Sequence, residues 1–452
     1  MIITGVAVVA ALAVAGGAYA VVASVSSGTD EAARHLPADT LAVASINLDP
    51  GGGETLAALK FLRNFPSIAA NSSGLNLGDG LLKPVFQNSP GGVNFDRDVK
   101  PWIGDHLAIA ADPQNGKIHA IAAIQTTDDG TAKTDLARLA STQSRFGYVV
   151  TDGYAIISDS PAAAQRAATD AKQSALGGTG SYNSDVSALP GGAIATAWVD
   201  VHGALKFAEA NGAATGQAQT AKLPSRLALS VRFDTSVADV QVKAFGVSGV
   251  QGGNVGADVA RLPQDTAVAI GAGHLDSDIR SLYSAIGRGL GARALGPLTS
   301  FQEKSGLTLP GDLMALVGSK TIFALGGPDL TSIGLLTSTT DPARAAAAAA
   351  KLNNAIAGGG LIVRQSAHGL VIASSDQYAT SLQHRGSLGA QSQFRTAVPD
   401  AGKAAAVVYV DLDRVLAKQG NATPDEKALK AFGLSASVDG STATLRVRLV
   451  VG

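Results

Sequence analysis

Cysteine is absent from the 452 residues of the chain. Disulfides, thiol catalysis and lipidation of an N-terminal cysteine are therefore excluded, although a protein without cysteine can lie on either side of a membrane. Aromatic residues are scarce at 5%, which argues against surfaces that stack on bases. The net charge is −1 and no long basic run occurs. The sequence therefore predicts no nucleic-acid partner.

The pattern Leu-Pro-x-Asp-Thr occurs twice, at Leu36–Thr40 and at Leu262–Thr266. Each copy opens a similar succession of predicted strands, turns and helices. We therefore predict a duplicated unit, with one copy at residues 36–250 and the other at residues 257–452. A Gly-rich linker at residues 251–256 separates them.

Further segments of the two copies correspond in the same order. The pairs are Ile103-Gly104-Asp105 with Val317-Gly318-Ser319, Thr126-Thr127-Asp128 with Thr339-Thr340-Asp341, Gly153 with Gly369, Trp198–Val201 with Tyr409–Leu412, and Ser230–Val242 with Ser435–Val447. An ordered series of this kind indicates that the shared motifs are mainly architectural. An insertion at Asn71–Val93 is where we expect the copies to differ most, and hence a place for binding specific to one copy.

Short apolar runs bounded by turn residues alternate with amphipathic stretches in both copies. Leu41–Asn47 is predicted to be a strand and Glu54–Phe65 a helix. Turns at Asp112–Gly116 and at Asp152-Gly153 should join neighbouring strands into hairpins. Because hairpins give antiparallel pairing, we predict an α+β fold in which each copy is a mostly antiparallel sheet with helices on one face.

The N-terminal run Ile2–Val25 carries no charged residue. A helix of about 24 residues spans roughly 36 Å, enough to cross a hydrocarbon core of about 30 Å. We predict a transmembrane anchor at residues 1–26, a linker at residues 27–35, and the C-terminal bulk outside the cell membrane, since the segment after the run has no positive excess. A cleaved signal peptide is the alternative, because Ala18-Tyr19-Ala20 fits the cleavage pattern.

The segment Leu36–Asp49, together with Leu59–Pro66, resembles the membrane-anchored proteins of high-GC Gram-positive bacteria catalogued as domain of unknown function 3352. The resemblance covers the anchor and nearly everything after it. It implies no activity, cofactor or catalytic residue.

Catalytic signatures are weak. The histidines are scattered without the spacing of a metal site, at His35, His106, His119, His202, His274, His368 and His384. His106 and His119 lie on neighbouring predicted strands, and ordinary strand histidines are a better interpretation than a facing pair. Gly287, Gly289 and Gly291 follow a helical stretch, which favours a helix end over a dinucleotide loop. We predict no catalytic, cofactor-binding or metal-binding residue.

Several aspartates recur in both copies. Asp39 and Asp265 occupy equivalent motif positions, where turn chemistry, with Asp and Thr bonded to local backbone, is favoured over a pair of functional carboxylates. Asp200 and Asp411 should cap the helices that follow, and so should Asp128 and Asp341. Ser160 is the predicted N-cap of a helix at Pro161–Ala171.

The sequence thus favours a non-enzymatic, single-pass membrane protein that presents a duplicated binding or scaffolding domain, with an envelope protein or an apolar ligand as partner. One alternative is a carrier or sensor of apolar, lipid-like ligands, which requires a large apolar cavity. Another is an envelope hydrolase, which requires a Ser or Asp within hydrogen-bond reach of a His.

Overall fold

A computed structural model of the protein describes residues 31–47, 53–70, 94–142, 146–213, 223–289, 302–303, 305–355 and 360–452. The chain forms two compact units. Unit 1 comprises residues 1–249 and 441–444, and unit 2 comprises residues 250–440 and 445–452. The division after residue 249 falls in the Gly-rich stretch of the sequence.

Unit 1 is built on an antiparallel sheet in which the strands lie in the order β4-β5-β3-β2-β1-β6-β7-β8. The strands are β1 Ala42–Asn47, β2 Ile103–Gln114, β3 Lys117–Thr126, β4 Gly147–Thr151, β5 Tyr154–Ser158, β6 Ala195–Asp200, β7 Arg226–Phe233 and β8 Val237–Phe245.

The helices of unit 1 are α1 Gly53–Arg63, α2 Pro66–Ala70, α3 Phe95–Asp98, α4 Asp129–Thr142, α5 Pro161–Gln173, α6 Gly180–Ser187 and α7 Val201–Ala210. Both faces of the sheet are covered. Neighbouring residues of a strand point to opposite faces, and Leu107 belongs to the hydrophobic cluster around α4 while Ala108 belongs to the cluster around α5 and α6. The prediction of helices on one face only is therefore wrong.

Unit 2 repeats the strand order of unit 1, as β12-β13-β11-β10-β9-β14-β15-β16. The pairings from β12 to β15 are antiparallel. The strands are β9 Val268–Gly273, β10 Lys320–Gly326, β11 Ser332–Ser338, β12 Ile362–Ser366, β13 Gly369–Ala373, β14 Ala406–Asp411, β15 Leu429–Asp439 and β16 Thr442–Val451. The same order in both units is what a duplicated unit requires.

The helices of unit 2 are α8 Val255–Val259, α9 Leu275–Gly289, α10 Gly311–Val317, α11 Pro342–Ala355, α12 Asp376–Gln383, α13 Ser392–Ala397, α14 Leu412–Gln419 and α15 Pro424–Lys427. Here too the sheet carries a cluster on each face. Ala373 packs in the cluster with α12 and α13, and its neighbour Ile372 packs in the cluster with α10 and α11.

The registers place Trp198 and Tyr409 at the same position of the repeated sheet. Trp198 lies between Val43 and Ala228 on the flanking strands, and Tyr409 lies between Ala269 and Gly433. Each ring is buried and meets a second aromatic ring edge to face. The sequence predicted this equivalence.

Two local predictions need correction. The first hairpin turns at Asn115 and Gly116, which have φ of 50° and 72°, so that the predicted turn residue Asp112 is a buried residue of β2. The second hairpin of unit 2 pairs Ser366 with Gly369, as Thr151 pairs with Tyr154. Gly369 therefore corresponds to Tyr154 and not to Gly153.

The predicted fold class included an N-terminal transmembrane helix, and this component is corrected. Within the described ranges no helix has both the length and the apolar character that crossing a bilayer requires. The run Ile2–Val25 lies outside the described residues, as does the predicted insertion Asn71–Val93. The predicted linker at 27–35 ends in a 3-10 helix, Ala32–His35, whose alanines are buried in unit 1.

Candidate functional site

The repeated Leu-Pro-x-Asp-Thr motif forms the same turn in both units. The Thr40 backbone N–H donates to the Pro37 carbonyl at 3.2 Å, and the Thr266 N–H donates to the Pro263 carbonyl at 3.1 Å. The turn is thus closed by backbone. The Oγ1 atoms of Thr40 and Thr266 are buried and have no hydrogen-bond partner within the described ranges, so the prediction that these threonine side chains bond local backbone is wrong.

In unit 2 the motif turn is tied to the start of α14. Asp411, the last residue of β14, caps this helix by accepting the Arg414 N–H at 3.1 Å, as predicted. The Arg414 guanidinium donates to the Asp265 carbonyl at 2.5 Å and to the Gly327 carbonyl at 2.9 Å. Through these hydrogen bonds the Arg414 side chain links the start of α14 to two loops.

A cleft of about 410 Å³ lies between the motif turn and the start of α14. Its lining is polar apart from one ring. The lining residues are Gln264, Asp265, Thr266, Gln391, Gln393, Tyr409, Asp411, Asp413 and Arg414. The sequence placed Asp265 and Asp411 in separate structural roles, and the fold brings both to one cleft.

Tyr409 forms the floor of this cleft. Only 1% of its surface is exposed, and its ring packs on Phe394 with centroids 5.0 Å apart. Its hydroxyl has no hydrogen-bond partner among the described residues. Burial raises the pKa of Tyr409 and the Asp411 carboxylate raises it further, so the hydroxyl is a neutral donor near neutral pH.

Asp411 is a second buried polar group of the cleft. It is 6% exposed, and its Oδ1 accepts the Arg414 N–H while no described residue bonds to Oδ2. Burial raises the pKa of Asp411, opposed by the hydrogen bond and the charge of Arg414. A ligand that brings donors or positive charge would favour the ionised form.

Tyr378 lies beside the motif turn behind the cleft. Burial and the Asp265 carboxylate raise the pKa of Tyr378 to about 12. The Thr266 hydroxyl lies near enough to oppose this rise, but the two oxygen atoms do not form a hydrogen bond. Tyr378 does not line the cleft.

In unit 1 the aromatic residue equivalent to Tyr409 has its polar group hydrogen-bonded. Trp198 Nε1 donates to Asp185 Oδ2 at 2.9 Å, and the Arg226 guanidinium binds the same carboxylate, with Nε at 2.5 Å from Oδ2. Asp200 caps α7 by accepting the Gly203 N–H at 2.8 Å. Each of these polar groups has its partner within the unit. The two copies thus share the capped helix. They differ in the aromatic residue, which is a hydrogen-bonded Trp198 in unit 1 and Tyr409 in unit 2.

A second, smaller groove borders α14. It has a volume of about 200 Å³ and shares Asp413 with the polar cleft. Most of its other lining is apolar or aliphatic. The lining residues are Asp413, Leu416, Ala417, Gly420, Ala422, Glu426, Lys427 and Leu429.

The histidine pair considered from sequence does not form. The register places Asp112 opposite His119, whereas the His106 N–H donates to the Gln125 side chain near the other end of β2. His119 Nδ1 instead lies 2.7 Å from Asp159 Oδ1. Among the described residues no Ser or Thr hydroxyl bonds to His119, and no group of three or more His, Cys, Asp or Glu could hold a metal ion.

The other capping predictions are confirmed. Asp128 accepts the Thr131 N–H at 2.9 Å, Asp341 accepts the Arg344 N–H at 3.0 Å, and Ser160 accepts the Ala163 N–H at 3.2 Å. Gly287 and Gly289 lie within α9, and Gly291 lies outside the described residues.

Sequence reasoning missed one repeated feature, a buried aspartate in each unit. Asp98 accepts from the Asn94 N–H at 2.8 Å and pairs with Arg97 and Arg138. Its counterpart Asp312 accepts from the Thr308 N–H at 2.8 Å and pairs with Arg344 and Lys351. The signal was present in the sequence, because each aspartate precedes the corresponding Ile103 or Val317 segment by the same distance.

Comparison with known proteins identifies a matching family but no activity. No curated protein matches the chain. The match described below carries no statement on membrane attachment or on the source of the protein. Residues 2–145 match the family described as "Protein of unknown function (DUF3352)", which confirms the family that the first Leu-Pro-x-Asp-Thr segment resembles.

Proposed function

We propose that the chain is a non-enzymatic binding module, and that its unit 2 takes a small polar ligand in the cleft beside α14. The observation that carries this proposal is the Tyr409 hydroxyl, which lies on the floor of the cleft and has no hydrogen-bond partner among the described residues. An unpaired polar group that is nearly buried costs free energy unless a ligand or water satisfies it.

The two alternatives are less well supported. A carrier of apolar ligands needs a large cavity lined by Leu, Val and Ile, whereas the larger described cleft is lined by Asp, Gln, Arg and Tyr. A hydrolase needs a nucleophile activated by a base. His119 meets Asp159, but no histidine lines the polar cleft. The location outside the cell membrane and the envelope partner stay predictions.

The proposal is tested by thermal unfolding of the full chain in the presence of small polar compounds, namely amines, amino acids, sugars and inorganic phosphate. A ligand that binds only the folded protein raises the Tm in a concentration-dependent way. We expect at least one compound to do so, and Tyr409→Phe to weaken the effect because it removes only the hydroxyl.

Tyr378→Phe is the matched control. It also removes a buried hydroxyl without a hydrogen bond, but outside the cleft lining. Equal loss of the Tm shift in both variants, or no shift with any compound, would contradict the cleft as the binding site.

A further inference from the structure

The charges around the cleft point to the class of ligand. We propose, on the basis of the binding function above, that the cleft takes a protonated amine or guanidinium group carried on an aliphatic stem. The cation would lie between the Asp411 carboxylate and the Tyr409 hydroxyl.

Carboxylates outnumber cations in the cleft lining. Asp265, Asp411 and Asp413 line the cleft together with a single cation, Arg414. Arg414 donates to two backbone carbonyls, and Asp413 is paired with Lys430 at 2.9 Å. Among the described residues no ion pair is formed by the side chains of Asp265 and Asp411. An anionic ligand would meet this excess of like charge, while a cation would balance it.

The floor of the cleft offers hydrogen-bond acceptors. Asp411 Oδ2 accepts no hydrogen bond from the part of the chain that the structure describes, and it can only accept while the group is ionised. The Tyr409 oxygen beside it can also accept. A ligand group rich in N–H donors fits this pair, and charge-assisted hydrogen bonds are the stronger ones. The Tyr409 hydroxyl indicates a polar ligand, and the carboxylates of the cleft favour a cationic one.

An apolar groove next to the cleft offers a surface for the aliphatic stem of the ligand. Asp413 lines both the polar cleft and the smaller groove. On the far side of Asp413, the groove is lined by Leu416, Ala417, Ala422 and Leu429. Aliphatic stems of basic groups lie along such surfaces while the charged end stays in a polar site.

The test is isothermal titration of the full chain with cadaverine, a free diamine, and with Nα-acetyl-lysine methylamide, a basic side chain on a peptide backbone. D-Glucose and inorganic phosphate serve as the neutral and anionic probes. We expect both amines to bind and the other two probes not to. The tighter of the two amines indicates whether the ligand is a free amine or a peptide-borne side chain.

Asp411→Asn is the diagnostic variant, because Asn still caps a helix but carries no charge. We expect it to weaken amine binding about tenfold to a hundredfold. Asp200→Asn alters the equivalent cap in unit 1 and should leave the affinity unchanged. Tyr409→Phe provides a second variant, with a smaller expected loss.

The outcomes separate this inference from the proposed function. Binding of glucose or phosphate without amine binding would overturn the ligand class and leave a polar binding site. Amine binding that is unchanged in Asp411→Asn and Tyr409→Phe would overturn the assignment to this cleft. The absence of binding by every probe at millimolar concentration would count against both proposals.

Discussion

Asp98 and Asp312 show how single residues hold the repeated unit together. Hydrogen bonds from Arg97 hold the pKa of Asp98 well below its usual range. Burial by itself would raise the pKa of Asp312, but the Thr308 N–H and the Lys351 and Arg344 cations lower it to about 2. Each buried carboxylate is held by several donors, so the segment that leads into β2 or β10 depends on one side chain for its hydrogen bonds.

We predict that Asp312→Asn lowers the free energy of unfolding by about 1.5–3 kcal/mol, the value of hydrogen bonds to a charged group. Asp329→Asn is the control. Its ion pair with Lys418 is mostly exposed, so a change within about 1 kcal/mol is expected. Urea unfolding at neutral pH measures both, and equal losses would contradict the role of Asp312.

The same variant tests the sign of the pH dependence. The pKa of Asp312 is lowered on folding, so its stabilisation is complete above the unfolded pKa of about 4. It is lost as the pH falls from there to about 2. The difference between the native protein and Asp312→Asn should therefore shrink across this window, and a difference that persists at pH 2 would contradict the assignment.

At the scale of elements, turns with positive φ set the hairpins of unit 1. Asp152 and Gly153 have φ of 54° and 74°, the conformation of a two-residue turn that matches the twist of its strands. The Asp-Gly pair in the sequence predicted this hairpin. Asn115 and Gly116 do the same between β2 and β3, and their Asn-Gly pair was a stronger signal for the turn position than the proline before it.

We predict that Gly153→Ala destabilises the protein by about 1–2 kcal/mol, because an L side chain is strained in the left-handed region. Nothing lies within 4 Å of the added Cβ, so backbone strain is the only cost. Gly191→Ala is a control, since its Cβ also meets nothing and its φ is not positive. It should be neutral or slightly stabilising, as measured by the urea midpoint. Similar losses in the two variants would show that strain is not the cause.

At the scale of the whole molecule, the hydrophobic clusters follow the two units. The clusters that contain Trp102, Trp198 and Ala58 consist of residues from unit 1. The clusters that contain Tyr409 and Leu307 consist of residues from unit 2. Since regions with separate cores can open separately, each unit is expected to have its own unfolding equilibrium.

Hydrogen exchange tests this expectation. We predict that Asp98→Asn accelerates amide exchange in β1–β8 and leaves the amides of β9–β15 unchanged. Asp312→Asn should do the reverse, so that each variant is the control for the other. Faster exchange in both sets of strands from either single substitution would show that the units open together.

Much of the local structure could be predicted from the sequence. Caps at Asp200, Asp411 and Ser160 depend on a side chain and an N–H three residues away, and the hairpins depend on adjacent turn residues. The order of these local signals was enough to predict the repeat. The two covered faces of the sheet were harder to predict, because helices such as α5 bury alanines, whose small side chains give a weak apolar pattern in the sequence.

The sequence by itself determined the repeated motif, the hairpins, the helix caps and the family of residues 2–145. Only the tertiary structure decided where a ligand site forms. Asp411 caps α14 through a local hydrogen bond, but the cleft that it shares with Asp265 depends on side chains that are distant in sequence. In unit 1 Trp198 donates to Asp185, whereas in unit 2 Tyr409 lines a cleft. Local backbone chemistry acts between neighbours in sequence, whereas the shape and charge of a cleft are set by side chains that only folding brings together.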